Sequence, residues 1–78
     1  MKYTASALDD LRSLPKRQAE QILRKILRLE KGLHGNIKRL QTADVGFRLR
    51  MGDYRILFDV VDDTIVVQKV GNRKDVYE

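Results

Sequence analysis

Three arginines within eight residues form the part of this chain best suited to chemistry. Arg48, Arg50 and Arg55 lie in the run Phe47 to Phe58, which reads as two strands meeting at Gly52-Asp53. In a strand, residues two apart share a face. Arg48 and Arg50 therefore point one way, and Phe47, Leu49 and Met51 the other. With Tyr54, Ile56 and Phe58 turned to the core, Arg55 joins the first two arginines on the open face. A guanidinium stays charged and meets phosphate through a planar fork of N–H donors. Such a cluster would bind phosphate oxygens and stabilise the extra charge of a pentavalent transition state at phosphorus. The plainer alternative is a solvated strand face whose arginines pair with Asp53 or Asp59.

Arg73 and Tyr77 sit just past the last expected strand, where the end of the sheet can meet the arginines. A tyrosine hydroxyl can orient a phosphate, or exchange a proton where nearby cations lower its pKa. Its ring can stack on a splayed base. A terminal tyrosine also simply closes a core edge. His34, in a Gly-flanked turn after a helix, reads as a helix cap or surface residue rather than a general base. Asp62-Asp63 reads as turn chemistry. The glycines are isolated, with no Gly-rich phosphate loop. Cysteine is absent and His34 is the single histidine. Disulfides, thiol nucleophiles and a zinc site are thereby disfavoured, and no cofactor or metal is expected.

The elements that must position these residues follow from the apolar pattern. Met1 to Thr4 reads as a short first strand. Thr4 or Ser6 is placed to cap a helix carrying Leu8, Leu11 and Leu14, with Asp9 and Asp10 expected in its first turn. Pro15 ends that helix or opens the next at its first position. From Lys16 to about Lys31, Ile22, Leu23, Ile26 and Leu27 follow one helical face, and Gly32 stops the helix. Gly35-Asn36 marks a turn, and Ile37 to Gly46 reads as a loop anchored by residues such as Leu40. Strands are expected at Phe47 to Met51, Tyr54 to Val61 and Thr64 to Val70, with Asp62-Asp63 as a hairpin turn and Gly71-Asn72 breaking the last strand. The expected architecture is α+β: an N-terminal helical hairpin on one face of a small, mainly antiparallel sheet whose other face is partly open.

Seventy-eight residues make one small domain, 1–78, of a size often stabilised by a partner. The formal charge of +5 is uneven. Residues 1–30 carry seven basic and four acidic groups, residues 31–55 six and two, and residues 56–78 three and five. The middle is thus the most basic part, and it holds the arginine strands, which suits a polyanionic partner. No apolar run is long enough for a membrane span or a signal peptide core, so no membrane partner is expected and the default location is the cytoplasm.

The run Arg50-Met51-Gly52-Asp53-Tyr54-Arg55-Ile56, followed by Phe58, resembles the core motif of the RelE/ParE toxin superfamily. The ending Lys69-Val70-Gly71-Asn72-Arg73-Lys74-Asp75-Val76-Tyr77 resembles its C-terminal signature. Leu14-Pro15-Lys16 fits the helical hairpin, and Lys38-Arg39-Leu40 resembles a lysine-leucine loop element. These pieces span essentially the whole chain in the family's order.

The resemblance implies the toxin half of a toxin–antitoxin pair, with a cognate antitoxin whose disordered or helical segment wraps over the toxin. RelE-like members are endoribonucleases that cut mRNA in the ribosomal A site without metal, the substrate's 2′-hydroxyl attacking the adjacent phosphate. By matched position, Arg55 and Arg73 would stabilise the phosphate, Tyr77 would orient the substrate, and Arg48 would bind or assist proton transfer. Arg50, Lys38, Arg39 and Lys74 would hold the RNA. Asn72 stands where many active members have histidine, and arginine rarely gives up its proton. These residues therefore supply charge without naming a base. ParE-like relatives, which poison DNA gyrase and lack the nuclease residues, are the first alternative, and a non-catalytic RNA-binding module, from the basic sheet alone, is the second.

Overall fold

A threonine ties the helical layer to the sheet. In the computed structural model, which describes residues 1–32, 37–40 and 46–72, Thr4 Oγ1 accepts the Ala7 N–H at 3.1 Å and caps helix α1, Ala5–Ser13. The same hydroxyl donates to the Gln68 carbonyl at 3.0 Å. With the cap at Thr4, the first turn of α1 holds no acid, contrary to the expectation for Asp9 and Asp10. Asp10 instead accepts the Val70 N–H at 3.0 Å, a second tie from α1 to the sheet. Pro15 precedes helix α2, Lys16–Arg28, as its cap residue rather than its first helical one. A single 3₁₀ turn, Leu29–Lys31, finishes the helical segment at Gly32.

Five strands form one sheet: β1 Lys2–Tyr3, β2 Ile37–Arg39, β3 Phe47–Met51, β4 Tyr54–Val61 and β5 Thr64–Asn72. Their spatial order is β1-β5-β4-β3-β2. The pairing is antiparallel throughout except for β1, which runs parallel to β5. The two expected hairpins form. Gly52 turns β3 into β4 at a φ of 56°, a conformation glycine adopts without a Cβ clash. Asp62 and Asp63 turn β4 into β5.

Two expectations need correction. Ile37 to Arg39 is not loop but an edge strand along β3, and the Leu40 N–H continues the pairing to the Gly46 carbonyl at 2.8 Å. Three residues are too few for a period-two pattern to declare itself. Gly71-Asn72 does not break β5: Gly71 pairs Arg55 and Asn72 pairs Tyr54. The ladder with a long neighbouring strand overrides the weak local propensity of these residues. The Gly35-Asn36 turn, His34 and the tail from Arg73 lie outside the described residues.

Both helices cover one face of the sheet. Ala7, Leu11, Ile22, Ile26 and Leu29 from the helical segment meet Leu49, Ile56, Phe58, Ile65, Val67 and Val70 from the strands. Phe47 and Phe58, opposite one another in the register, stack with centroids 5.3 Å apart. The helical stripes are narrower than the sequence pattern suggests. Leu8 and Leu27 are 40% and 56% exposed, because the small Ala7 and the 3₁₀ residue Leu29 fill the core instead.

Candidate nucleic-acid interface

With Tyr54, Ile56 and Phe58 packed towards the helices, strand alternation puts Arg55, Leu57 and Asp59 on the opposite face. The register fills in the neighbours. Arg50 lies opposite Arg55, which pairs Gly71 on its other side. One row along, Lys38, Arg48, Leu57 and Lys69 follow one another across β2, β3, β4 and β5. These five cations thus share the sheet face turned away from the helices, and Lys2, beside Val66, lies on the same face.

The structure brings Arg48, Arg50, Arg55 and Lys38 together, as the sequence suggested. Arg39 is different: it pairs with Phe47, so its side chain leaves β2 on the helix side of the sheet, where it is exposed. Arg73, Lys74 and Tyr77 lie outside the described residues. Lys69 belongs to the face but escaped the sequence reading. Its phase is hidden by a bulge: the register passes from Leu57 with Lys69 to Phe58 with Val67, leaving Gln68 as the extra residue. A simple alternation through β5 therefore mispredicts which side Lys69 takes.

The three arginines are not equivalent. Arg50 is exposed, Arg48 is half-buried with its Nε covered, and Arg55 retains only 6% exposure. Arg55 Nη1 donates to the Gly52 carbonyl at 2.9 Å and to the Tyr54 carbonyl at 3.0 Å. It therefore clamps the β3–β4 turn as well as contributing charge. Such charge-assisted bonds hold the guanidinium in one orientation, which suits a preorganised phosphate site. Asp59 does not pair these arginines. Its Oδ1 accepts the Gly46 N–H at 2.6 Å and its Oδ2 accepts from Gln68 Nε2 at 3.3 Å.

Clefts of about 450 and 290 Å³ lie elsewhere, the first beside Glu30, Asp63 and Thr64, the second beside Arg24, Lys25, Arg28 and Met51. Several cations on one sheet face suit a polyanion. Among the described residues, no group of three or more His, Cys, Asp or Glu side chains is placed to hold a metal ion. No helix among them is long and apolar enough to cross a membrane.

Comparisons with known proteins agree with this fold. Residues 1–77 match the family of the ParE toxin of the type II toxin–antitoxin system, parDE. Among solved structures, the chain is similar to the archaeal RelE–RelB complex from Pyrococcus horikoshii, with 30% identity, a TM-score of 0.71, and coverage of 96% of this chain and 94% of that one. It is similar to the RelBE2 toxin–antitoxin complex from Mycobacterium tuberculosis at 28% identity and TM-score 0.80, covering 92% and 94%. It is similar to the RelB–RelE complex from Methanococcus jannaschii at 26% identity and TM-score 0.78, covering 95% and 92%. No curated protein sequence matches the chain. With its helical hairpin on a five-stranded sheet and a family match over nearly its full length, the chain belongs to the ParE toxin family of type II toxin–antitoxin systems, within the RelE/ParE superfamily.

Proposed function

We propose that the chain is a ribosome-dependent endoribonuclease toxin that cuts mRNA in the A site, inhibits translation, and is neutralised in the cytoplasm by a cognate antitoxin. The observation that carries this reading is the convergence of Lys38, Arg48, Arg50, Arg55 and Lys69 on the sheet face away from the helices. The likeness to RelE chains solved with RelB supports the antitoxin partner.

The chemistry is metal-independent phosphoryl transfer. The RNA backbone lies along the cationic face, and the 2′-hydroxyl of one nucleotide attacks the adjacent phosphate. Arg48 and Arg55 neutralise the charge that builds on the non-bridging oxygens, and Arg50 and Lys38 hold flanking phosphates. Arg73 and Tyr77 take the family's positions for phosphate stabilisation and substrate orientation, with Lys74 as an outer RNA contact, whereas Arg39, on the helix side of the sheet, takes no part in this face. Primer extension on mRNA from a translating extract tests the reading. A-site cuts that disappear with Arg48→Ala and Arg73→Ala are the expected result. Intact mRNA in an extract that stops translating would refute it.

A second reading is gyrase inhibition in the manner of ParE. It draws support from Arg55, whose Nη1 is engaged by the carbonyls of its own hairpin, a structural role that needs no phosphate. Gyrase-dependent DNA breakage with intact mRNA is its signature.

A further inference from the structure

Asp59 is held on the cationic face from two sides. The Gly46 N–H reaches its Oδ1 and the Gln68 amide reaches its Oδ2. A Cβ at position 46 would stand 2.7 Å from Oδ1, so only glycine lets the carboxylate settle on that N–H. Both donors are neutral, and among the described residues no ion pair engages Asp59. An ionised carboxylate offers about four lone-pair sites. Two are used here, leaving capacity to accept a proton from a substrate hydroxyl.

The position relative to the arginines matters as much. Arg48 lies opposite Leu57, and Asp59 is two residues further along β4. Arg48 and Asp59 are therefore diagonal neighbours across the strand pair, a relation that sets residues about 7–8 Å apart. One phosphodiester fits between a guanidinium and a carboxylate at that spacing. Leu57, only 5% exposed, lies between them as an apolar floor. The arginines supply charge but, because arginine rarely gives up its proton, no base. Asp59 is the carboxylate placed to fill that gap.

We propose that Asp59 is the proton acceptor for RNA cleavage, an assignment that rests on the endoribonuclease reading. Asp59 takes the proton of the 2′-hydroxyl as the 2′-oxygen forms its bond to phosphorus. The bond from phosphorus to the 5′-oxygen breaks with its electron pair, and that oxygen takes a proton from water. The products are a 2′,3′-cyclic phosphate and a 5′-hydroxyl, with no oxidant, reductant or metal required.

The test is single-turnover cleavage of mRNA on programmed ribosomes, followed against pH for the wild type, Asp59→Asn and Gly46→Ala. The wild-type rate should rise about tenfold per pH unit on the acid side and then level, as a single general base requires. Asp59→Asn keeps an acceptor for the Gly46 N–H, so a thermal melt should show it folded. It should cleave about 10²–10⁴-fold more slowly, without the acid limb. Gly46→Ala, which displaces the carboxylate without removing it, should lower the plateau and keep the acid limb. Folded Asp59→Asn cleaving within threefold of wild type overturns the assignment and leaves the nuclease reading intact. Should Asp59→Asn fail to fold, a wild-type rate with no acid limb overturns the assignment equally. A wild-type chain that cuts no mRNA removes the assignment and the nuclease reading together.

Discussion

Arg50 and Arg55 lie directly opposite one another in the β3–β4 register, yet Arg50 is exposed and Arg55 is buried against the carbonyls of Gly52 and Tyr54. Two like charges in a cross-strand pair destabilise a sheet unless one of them is otherwise engaged. Here Arg55 is engaged by its own turn, which frees the neighbouring position for a cation that faces solvent.

Opposite signs of stability change follow for the two residues. Arg55→Ala removes a buried guanidinium and its charge-assisted bonds to two carbonyls, and should cost about 1–3 kcal/mol. Arg50→Glu turns a like-charge pair into an opposite-charge pair and should be neutral or stabilising, by up to about 1 kcal/mol. Urea midpoints at unchanged slope measure both. On the nuclease reading, both variants should lose mRNA cleavage, Arg50→Glu without any loss of fold. That split separates the charge requirement of the site from the structural role of Arg55.

The hairpins were legible in the sequence because their signals are local. Phe47 to Met51 alternates cleanly, Tyr54 to Ile56 continues the alternation, and Gly52-Asp53 and Asp62-Asp63 supply the turn residues of the two hairpins. The arginine face followed from that alternation. What stayed hidden depends on long-range pairing. β2 is an edge strand of three residues whose existence requires β3. Lys69 takes its side only because Gln68 bulges. Asp10 looks like a residue of a first helical turn until Val70, sixty residues away, donates to it. Asp59 reads as a generic partner for arginine, and its bond to Gly46 becomes visible only once β3 and β4 are in register.

The ties between α1 and β5 should behave as one unit. Thr4 links the helix start to Gln68, and Asp10 links the helix to Val70, two residues further along the strand. Thr4→Ala loses both a cap and a hydrogen bond to the sheet, and about 1–2 kcal/mol is expected. Thr4→Ser, which keeps the hydroxyl, should retain most of that. Asp10→Ala leaves the Val70 N–H without its acceptor, at a cost of about 1–3 kcal/mol. In the double variant the losses should fall short of their sum by about 0.5 kcal/mol or more, because either change loosens the same docking. Strict additivity in denaturant titrations would show two independent contacts instead.

The β4–β5 turn offers a stabilising change remote from the arginines. Asp62 and Asp63 both have positive φ, 50° and 62°. Two-residue turns of this shape favour asparagine followed by glycine. A side chain in the left-handed region costs roughly 1–2 kcal/mol, less for aspartate, and glycine removes most of it. Asp62→Asn with Asp63→Gly should therefore raise stability by about 0.5–1 kcal/mol, read as a higher urea midpoint. On the nuclease reading, cleavage of mRNA by this variant should match the wild type, since the turn lies at the opposite end of β4 from Arg55.

Alkaline titration should report on the joint between β1 and the helical segment. Burial, and secondarily the Glu30 carboxylate, push the Tyr3 phenol above its ordinary value of 10.0. The folded state therefore prefers the neutral phenol more strongly than the unfolded chain does. Below about pH 10, where both states hold the proton, this contribution to stability is fully present. As pH rises past the unfolded value the unfolded chain loses its proton first, and the contribution fades until the folded phenol also ionises. Wild type should thus lose stability above about pH 10 more steeply than Tyr3→Phe, which has no proton at that site. Glu30→Gln should bring the Tyr3 titration partly back towards 10.0, as followed by tyrosinate absorbance against Tyr3→Phe as the blank. The return is only partial because burial is the larger cause and remains. Parallel alkaline stability curves for wild type and Tyr3→Phe would show that the phenol ionises alike in both states and that the β1 end is open to solvent.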